Sequence, residues 1–592
     1  MSREDRIYTE KHMSTVLPEE KEQKRSAWKC WLISLAVNAI ILAAVFYLTD
    51  LMYETNDDYS IAYKIATDYP YVGFVNYYLC KLLIVIQRLI PNVNAFMLSQ
   101  IVASFIAFTA VFRVLLERND EVLEDVLAAA VIAFFSFDHY CILQFTKTSA
   151  LLMAAGILYV ADAYTHRKNV LAYIGGFLLH FTGVCYRQMG MFPALSFVCL
   201  FMFFWWILNG REYFKGRRPL AECAIVLVIA VLLVAPYGFD KLSDSKNAST
   251  PELALGRQYQ ALRIKVTDYP VLDNYDKFKD EYEAAGISEN DIATIDRFVL
   301  DYDGAASLEN LQTITRINSA ASSGHLTVKK AVKKFVKKTL KELKERSFTG
   351  MHVIALAAMA VFMLLVIRPR SWIYVIMIGG LTVALYIAIY YMQRTKYRAF
   401  YVADISAAFW LLYVIASEGR KPGPERSGAR KWMERILCVV MAAAVISFFP
   451  KEMRILAAKN AHNAETVETA EVTEYLENHP DSFYVVATSI QKYPAEYLDP
   501  LAVPTMPDNQ TNTGGWETLT PARMEFLESH GIYNPVKDII DRPDCYFFGR
   551  YKMDMLKEYY NKWYGGDGKT VVFEKADEIG SYEIFRLVTV DS

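Results

Sequence analysis

The sequence predicts an α-helical polytopic membrane protein with about eleven transmembrane helices and a C-terminal extracytoplasmic α/β domain. The chain has 592 residues, of which 54% are hydrophobic and 14% aromatic, and its mean hydropathy is +0.15. Many of its apolar runs have the length of roughly 17–25 residues that crosses a bilayer. The part after residue 450 is polar instead and contains short strand-like runs. A soluble protein of this size would show several cores with amphipathic helices, which these long apolar runs argue against.

Most of the apolar runs are interpreted as spans, and one is not. The spans are 28–49, 95–115, 124–138, 146–164, 169–186, 191–208, 219–236, 351–367, 372–391, 398–417 and 432–449. The remaining run, 74–91, carries Lys81, Gln87 and Arg88. This mixture predicts a helix that lies in the membrane interface. The alternative is an ordinary second span, which would put one basic loop on the wrong side of the membrane.

The charge distribution orients these spans. Residues 1–27 are polar and lack the apolar stretch and cleavage site of a signal peptide, which predicts a cytoplasmic N-terminal segment. Short basic loops mark the cytoplasmic face of membrane proteins, and they occur at 166–168, 211–218, 368–370 and 420–431. The predicted transmembrane domain, 28–450, therefore has outer loops at 49–94 and 237–350. The predicted α/β domain, 451–592, lies outside the cell membrane.

The outer parts contain clear local signals. Ser288 followed by acidic residues predicts a helix start, and Gly286 predicts the end of the preceding helix. Residues 329–346 combine apolar residues at helical spacing with lysines on the other faces, which predicts a basic amphipathic helix suited to an anionic lipid surface. The alternative is a solvated charged helix. In the tail, 570–574 and 581–587 predict a hairpin.

An acidic pair follows the first span. The chain reads Glu54-Thr55-Asn56-Asp57-Asp58-Tyr59 where it leaves the membrane. Acidic groups beside lipid are costly, and for that reason they are often functional. A carboxylate here can remove the proton from a hydroxyl acceptor, so Asp57 and Asp58 are the candidate catalytic residues. The alternative is that they cap the helix that follows. Both roles are compatible if the two side chains point in different directions.

Basic residues on the same outer face form a candidate anion site. The short loop between the spans 372–391 and 398–417 contains several cations, although short outer loops usually contain few. A departing phosphate needs cations where its negative charge develops. The candidate substrate-binding cations are Lys81, Lys147, Arg187, Arg394, Lys396 and Arg398. For each of them, the alternative is snorkelling to the interface or pairing with a nearby acid.

Two further polar residues and the cysteines complete the candidate site. Asp138 and His139 end the span 124–138 at the same level and could bind a sugar or an acceptor, with helix capping as the alternative. The eight cysteines lie mostly in apolar runs, and the chain has no CxxC or HExxH pattern, so no metal site is predicted. No cofactor is expected, although a divalent cation is left open as an alternative. No nucleic-acid partner is expected either.

The acidic pair resembles a motif of the C-type glycosyltransferases (the GT-C superfamily), such as the protein O-mannosyltransferases and the lipid A aminoarabinose transferase. In that family an acidic pair follows the first span, in an outer loop with interfacial helices, and Asp57-Asp58 stand at this position here. Asp68-Tyr69-Pro70-Tyr71 loosely resembles the stretch rich in tyrosine and proline that follows, with Tyr71 in place of the usual second proline. The resemblance covers residues 28–240, and the later spans by architecture alone. It does not cover 451–592.

The resemblance implies a GT-C-like fold and a defined reaction. A sugar would move from a polyprenyl-phosphate donor to a hydroxyl of a glycan, lipid or protein, by an inverting displacement and usually without a bound metal. An aspartate would activate the acceptor, and basic residues would stabilise the departing phosphate. Membrane lipids would be further partners. Two alternatives remain: a transporter or flippase of lipid-linked saccharides, which tends to place ionisable groups near the bilayer midplane, and a non-catalytic membrane scaffold.

Overall fold

The computed structural model describes most of the chain. The described residues are 25–54, 56–119, 122–215, 219–269, 271–321, 325–366, 369–418, 428–464, 467–487, 499–550, 552–566 and 568–591. The predicted cytoplasmic segment 1–27 lies almost wholly outside them. Most of the basic run 420–431 does so as well.

The first part of the chain forms most of a helix bundle. Its elements are α1 (Ala27–Leu48), β1 (Met52–Tyr53), α2 (Asn56–Ala66), α3 (Tyr77–Leu89), α4 (Ala95–Arg118), α5 (Val122–Cys141), β2 (Ile142–Leu143), α6 (Phe145–Thr165), α7 (Val170–Tyr186), α8 (Met191–Tyr213) and α9 (Pro219–Lys246). A long connection follows, with α10 (Pro251–Thr267), α11 (Lys279–Ala284), α12 (Glu289–Asp296), α13 (Leu308–Ala321) and α14 (Val328–Glu345).

The second part completes the bundle and adds the tail. The bundle helices are α15 (Phe348–Val366), α16 (Trp372–Tyr391), α17 (Tyr397–Glu418), α18 (Gly428–Ile446) and α19 (Phe449–Ala464). The tail contains α20 (Val467–Asn478), β3 (Phe483–Val486), β4 (Gln510–Asn512), α21 (Pro521–Ser529), β5 (Cys545–Gly549), α22 (Met553–Tyr564), β6 (Lys569–Ile579) and β7 (Tyr582–Asp591).

The bundle has the character of a polytopic membrane protein. In the described part of the chain, nine helical stretches are long and apolar enough to cross a membrane. They are α1, α4, α6, α8, α9, α15, α16, α17 and the consecutive pair α18–α19. Helix α7 is apolar but has only 17 residues, and the 20 residues of α5 include acids at both ends. The polytopic helical class is therefore confirmed, and the number of about eleven spans stays a prediction.

The bundle has two ends of different character. At one end β1 pairs with β2 in parallel, with Met52 opposite Ile142, which joins the segment after α1 to the start of α6. We call this end the site face. At the other end ion pairs tie the helices together: Asp162 accepts from Arg118 at 2.8 Å, and Lys168 lies 2.5 Å from the same carboxylate. The short loops that follow α6 and α8 lie at this opposite face.

Helix α3 occupies most of the run 74–91 and stays on the site face. It has 13 residues, which is too few for a bilayer of the usual thickness. At its N-terminal end the backbone N–H of Asn76 donates to Cys185 O at 2.9 Å, beside the end of α7. Near its C-terminal end Gln87 Oε1 accepts from the N–H of Ala95, at the start of α4. Both ends of α3 thus contact the same face, as expected for an interfacial helix.

The long connection and the tail share one hydrophobic core. Tyr259 of α10 and Ile292 of α12 belong to the same buried cluster as Val485 of β3 and Tyr560 of α22. Hydrogen bonds reinforce this contact, including the one that Leu300 N donates to Thr513 O at 3.0 Å. Residues 251–317 therefore pack with the tail as one body outside the bundle. The division of the chain at residue 450 stays a prediction.

The tail is a mixed α/β structure. Its sheet has the order β4-β3-β5-β7-β6, in which β3 is parallel to both of its neighbours and β7 is antiparallel to β5 and β6. The predicted hairpin is present, because β6 and β7 pair along their length, with Ile579 opposite Tyr582. Gly580 forms the turn with φ of 56°, a left-handed conformation that glycine adopts without strain.

Two local predictions in the long connection are confirmed. Helix α12 begins with a capping box, in which the Ser288 side chain accepts from Asp291 N and the Asp291 side chain accepts from Ser288 N. The basic helix is α14, which buries Ala331 against α16 and α17 and exposes most of its lysines. The sequence signals for helix starts and for amphipathic faces therefore correspond to real elements.

Candidate functional site

The acidic run lies where β1 leads into α2. The backbone N–H of Glu54 donates to Leu143 O at 2.9 Å, so the run is tied to β2. Asp57 and Asp58 occupy the first turn of α2, where the helix dipole favours negative charge. Asp58 is completely buried and its Oδ1 accepts a hydrogen bond from Phe145 N at 2.9 Å. Asp58 therefore caps the start of α6. Asp57, in contrast, is only half-buried.

Arg187 reaches this region from the end of α7. Its guanidinium lies over the rings of Phe74 and Phe145, at 5.7 and 5.1 Å from their centroids. Its Nη1 also donates to Thr146 Oγ1 at 3.3 Å. Burial, reinforced by the positive charge of Arg398, lowers the pKa of Arg187 to about 10, although Asp57 opposes the shift. Arg187 is therefore a half-buried cation held beside the acidic run.

The loop between α16 and α17 supplies two further arginines. Arg398, in the first turn of α17, places Nη1 3.9 Å from Glu54 Oε1. The other oxygen of that carboxylate is buried and has no hydrogen-bond partner among the described residues. Arg394 donates from Nη1 to Asp268 Oδ2 at 2.9 Å, and Arg263 of α10 lies 3.7 Å from the other oxygen of Asp268. Arginines from three parts of the chain therefore converge here.

The electrostatic environment connects these groups to Asp57. Burial raises the pKa of Asp57, and the positive charges of Arg398, Arg187 and Arg263 act against that increase. Burial also raises the pKa of Asp58 well above its usual range, in spite of the bond from Phe145 N. A carboxyl with a raised pKa is a stronger proton acceptor when it is ionised. We call Glu54, Asp57, Asp58, Arg187, Arg263, Arg394 and Arg398 the acid–arginine cluster.

Three of the candidate residues form a separate network inside the bundle. Lys147 is completely buried, and its Nζ donates to Asp138 O at 3.0 Å and to Asp138 Oδ2 at 3.3 Å. The ring of His139 lies between Ser104 Oγ at 2.8 Å and Tyr401 Oη at 3.0 Å. The Lys147–Asp138 contact is the pairing with a nearby acid that the sequence left open as an alternative, whereas Asp138 and His139 lie inside α5 and do not cap it. Substrate binding by Asp138, His139 and Lys147 stays a prediction.

The two remaining candidates are exposed. Lys81 lies on the surface of α3, with its ammonium 5.9 Å from the ring centroid of Tyr77. Lys396 is exposed in the loop between Arg394 and Arg398. Their exposure distinguishes these two lysines from Arg187, Arg394 and Arg398, which are partly buried. Roles for Lys81 and Lys396 in substrate binding stay predictions.

Three residues of this region, Glu54, Arg263 and Asp268, are not among the candidates that the sequence predicts. Glu54 stands in the acidic run, so its position next to Asp57 was a usable signal. Arg263 and Asp268 belong to the long connection, where charged residues are common. Their approach to Arg394 depends on how α10 packs over the site face, and no local pattern in the sequence encodes that packing.

Comparison of the chain with models of protein families, with curated proteins and with solved structures finds no match. Within the described ranges, no group of three or more His, Cys, Asp or Glu side chains could hold a metal ion. The geometry of the site offers a half-buried carboxylate near several arginines, an arrangement that can accept a proton and hold a phosphate at the same place.

Proposed function

We propose that this protein is a membrane glycosyltransferase that transfers a sugar from a polyprenyl-phosphate donor to a hydroxyl acceptor. The observation that carries the proposal is the convergence of arginines from separate parts of the chain on the acidic run, where Arg398 lies 3.9 Å from Glu54 and the positive charges of Arg398, Arg187 and Arg263 act on Asp57. Transfer of this kind needs a base for the acceptor and cations for the leaving phosphate. The acid–arginine cluster contains both, and its position after the first span supports the resemblance to the C-type family.

In the proposed reaction Asp57 is the base. The acceptor oxygen attacks the anomeric carbon while its proton moves to the Asp57 carboxylate. The bond between the anomeric carbon and the phosphate oxygen breaks, and its electron pair stays on the polyprenyl phosphate. Arg187, Arg394 and Arg398 would stabilise the new negative charge. Attack from the side opposite the leaving group inverts the anomeric centre.

The choice between the two aspartates rests on their partners. Asp58 is completely buried and accepts from Phe145 N, so it holds α2 against the start of α6. Asp57 is half-buried and lies in the field of the arginines. We therefore assign proton transfer to Asp57 and a positioning role to Asp58.

A lipid path near the cluster supports a lipid-linked donor. An apolar groove of about 460 Å³ follows α15 and α18, lined by Ala357, Val361 and Val440 among others. A second cavity, also about 460 Å³, opens beside the start of α15, and Thr395 and Tyr397 line it. These two residues alternate in the sequence with the cations Arg394, Lys396 and Arg398. The prenyl chain would occupy the groove, and the phosphate would reach the arginines above it.

The charge distribution supports an extracytoplasmic site. The short basic loop at 166–168 and the described part of the next one, 211–215, belong to the opposite face of the bundle. By the positive-inside rule that face is cytoplasmic, so the acid–arginine cluster and the tail lie outside the cell membrane. A donor carried on a lipid fits this location, since the sugar must be activated without a soluble nucleotide.

Polyprenyl phosphate release tests the proposal. Membranes that contain the full chain would be incubated with polyprenyl-phosphate-linked glucose, mannose or aminoarabinose, and release of polyprenyl phosphate would be measured. We expect release with at least one donor, and its loss in Asp57→Asn. Asp554→Asn, a change at an exposed acid of the tail, is the matched control and should retain release. Full release by Asp57→Asn, or no release from any donor by the unmodified chain, would overturn the proposal.

A further inference from the structure

A cavity of about 420 Å³ separates α2 from the sheet of the tail. One wall is the outer surface of α2, with Tyr63 and Lys64, and the opposite wall contains Gln510 of β4. The loop that carries Trp516 forms part of the lining as well. The cavity therefore lies between α2, the helix that begins with the candidate catalytic acids, and the tail. The tail contributes no residue to the acid–arginine cluster.

The polar groups of this cavity are held in fixed positions. Lys64 Nζ lies 3.0 Å from Glu517 Oε2, and both side chains are largely buried. Arg523 is buried as well and donates from Nη1 to Asn512 Oδ1 at 2.7 Å. Groups that are already oriented by the protein lose little entropy when a ligand binds. The lining is thus a preformed site.

The lining has the chemistry that recognises a sugar. Tyrosine and tryptophan rings can cover the apolar faces of a sugar ring, and side-chain amides and carboxylates can accept bonds from its hydroxyls. Tyr63, Tyr69 and Trp516 provide the rings, while Asp508 and Gln510 provide polar groups. The charged side chains of the lining are three acids and two bases. This balance disfavours an anionic ligand and favours a neutral one.

The cavity is adjacent to the acid–arginine cluster. Asp57 and Tyr63 lie on the same helix, roughly 9 Å apart along its axis. The Trp516 ring packs against Phe74 with 5.4 Å between centroids, and Phe74 in turn covers Arg187. Gln260 of α10, the helix that also carries Arg263, donates to Gly515 O at 3.1 Å. Trp516 and Phe74 therefore lie in succession between the cavity and Arg187.

We propose that this cavity binds a neutral saccharide, which is the acceptor of the transfer. This inference rests on the proposed function for the role of the saccharide, but its binding does not depend on transfer. It selects a glycan among the acceptor classes, because a lipid chain in this cavity would cover charged side chains, which is costly, whereas a saccharide can form hydrogen bonds with polar groups and pack on aromatic rings. A sugar bound between α2 and the tail would direct a terminal hydroxyl toward Asp57.

Direct binding tests this inference in the full-length protein. The protein in detergent would be titrated with mannotriose and with chitotriose, and saturation-transfer NMR would report binding to each. We expect at least one probe to bind. In the double variant Asp508→Ala/Gln510→Ala its affinity should fall roughly tenfold or more, because two hydrogen-bonding groups are lost. Asp481→Ala, an exposed acid elsewhere in the tail, should bind like the unmodified protein.

The outcomes separate the two proposals. Asp57→Asn should bind the saccharide normally and yet fail in transfer. If Asp57→Asn retained transfer while saccharide binding was still sensitive to Asp508 and Gln510, the proposed function would fail and the binding site would stand. If neither probe bound, or if the double variant bound as tightly as the unmodified protein, the saccharide site would be overturned.

Discussion

Arg398 Nη1 lies 3.9 Å from Glu54 Oε1, which joins the start of α17 to the acidic run that follows α1. The same arginine acts on the carboxyl of Asp57 and lowers its pKa against the effect of burial. One guanidinium therefore interacts electrostatically with two carboxylates of the cluster. It can stabilise the ionised base before transfer and the phosphate during it.

Loss of the Arg398 charge should alter both the rate and the pH dependence of transfer. We expect Arg398→Gln to reduce the rate by roughly 10²–10³, the usual effect of removing one group that stabilises developing charge. Because Arg398 lowers the pKa of Asp57, its removal raises that pKa. The acidic limb of the rate profile should therefore move to higher pH. Initial rates measured over a pH series would check both effects.

Arg398→Lys is the control for this prediction. Lysine keeps the positive charge but loses the planar fork of donors. The acidic limb of the pH profile should then stay close to that of the unmodified protein, while the rate falls only in part. An unshifted limb in Arg398→Gln would contradict the electrostatic link between Arg398 and Asp57.

The positioning role of Asp58 predicts a pH-dependent stability. Burial raises the pKa of Asp58 well above its ordinary value of 3.8, so the folded protein holds this proton more tightly than the unfolded chain. The stability contributed by this carboxyl is fully present below the unfolded pKa and is lost as pH rises through the folded pKa. Asp58→Asn lacks the titration. The Tm of Asp58→Asn should therefore rise relative to that of the unmodified protein between about pH 5 and about pH 8.

A second Asp58 variant separates charge from hydrogen bonding. Asp58→Ala removes the acceptor for Phe145 N and should cost about 1–3 kcal/mol of stability at every pH. Asn keeps an oxygen for that N–H and should avoid most of this loss. Thermal unfolding in detergent would compare the variants. Equal Tm values for Ala and Asn would show that the bond to Phe145 does not hold α2 in place.

Local sequence patterns predicted the elements of the fold more completely than their contacts. Long apolar runs predict spans because a helix in lipid must satisfy its own backbone and present apolar side chains. The capping box at Ser288 and the turn at Gly580 are equally local. The shared core of Tyr259 and Val485 is different, since it joins residues far apart in the chain. No local pattern in either segment encodes this packing.

The candidate site shows the same difference between features that local sequence patterns predict and features that only packing determines. Asp57 and Asp58 could be selected because carboxylates beside lipid are costly, and Arg394 and Arg398 because outer loops usually lack cations. Lys147 met similar criteria, but it is completely buried and bonded to Asp138. The sequence could not distinguish a cation that faces a cavity from one that faces a neighbouring helix. Arg263 met none of the criteria, since only packing brings it close.

The Lys147–Asp138 ion pair should stabilise the bundle. Both side chains are completely buried, and removal of one partner leaves an uncompensated charge. We expect Lys147→Met to lower the stability by about 3–5 kcal/mol and to reduce the yield of folded protein. The double variant Asp138→Leu/Lys147→Met should recover much of the loss. Thermal unfolding of the single and double variants would measure the coupling, and a double variant that was less stable than Lys147→Met would contradict it.

The orientation of the protein in the membrane can be tested with single cysteines. Ser249 is exposed on the connection after α9, at the site face, and Lys215 is exposed after α8, at the opposite face. The positive-inside rule places the second of these in the cytoplasm. In a background with Cys199 and Cys223 replaced by serine, Ser249→Cys should react with an impermeant thiol reagent on intact cells. Lys215→Cys should react only after the cells are opened. Permeabilised cells are the control, because both cysteines must be labelled there to show that each is reactive. The reverse pattern on intact cells would place the acid–arginine cluster in the cytoplasm, where a donor exposed at the outer membrane face could not reach Asp57.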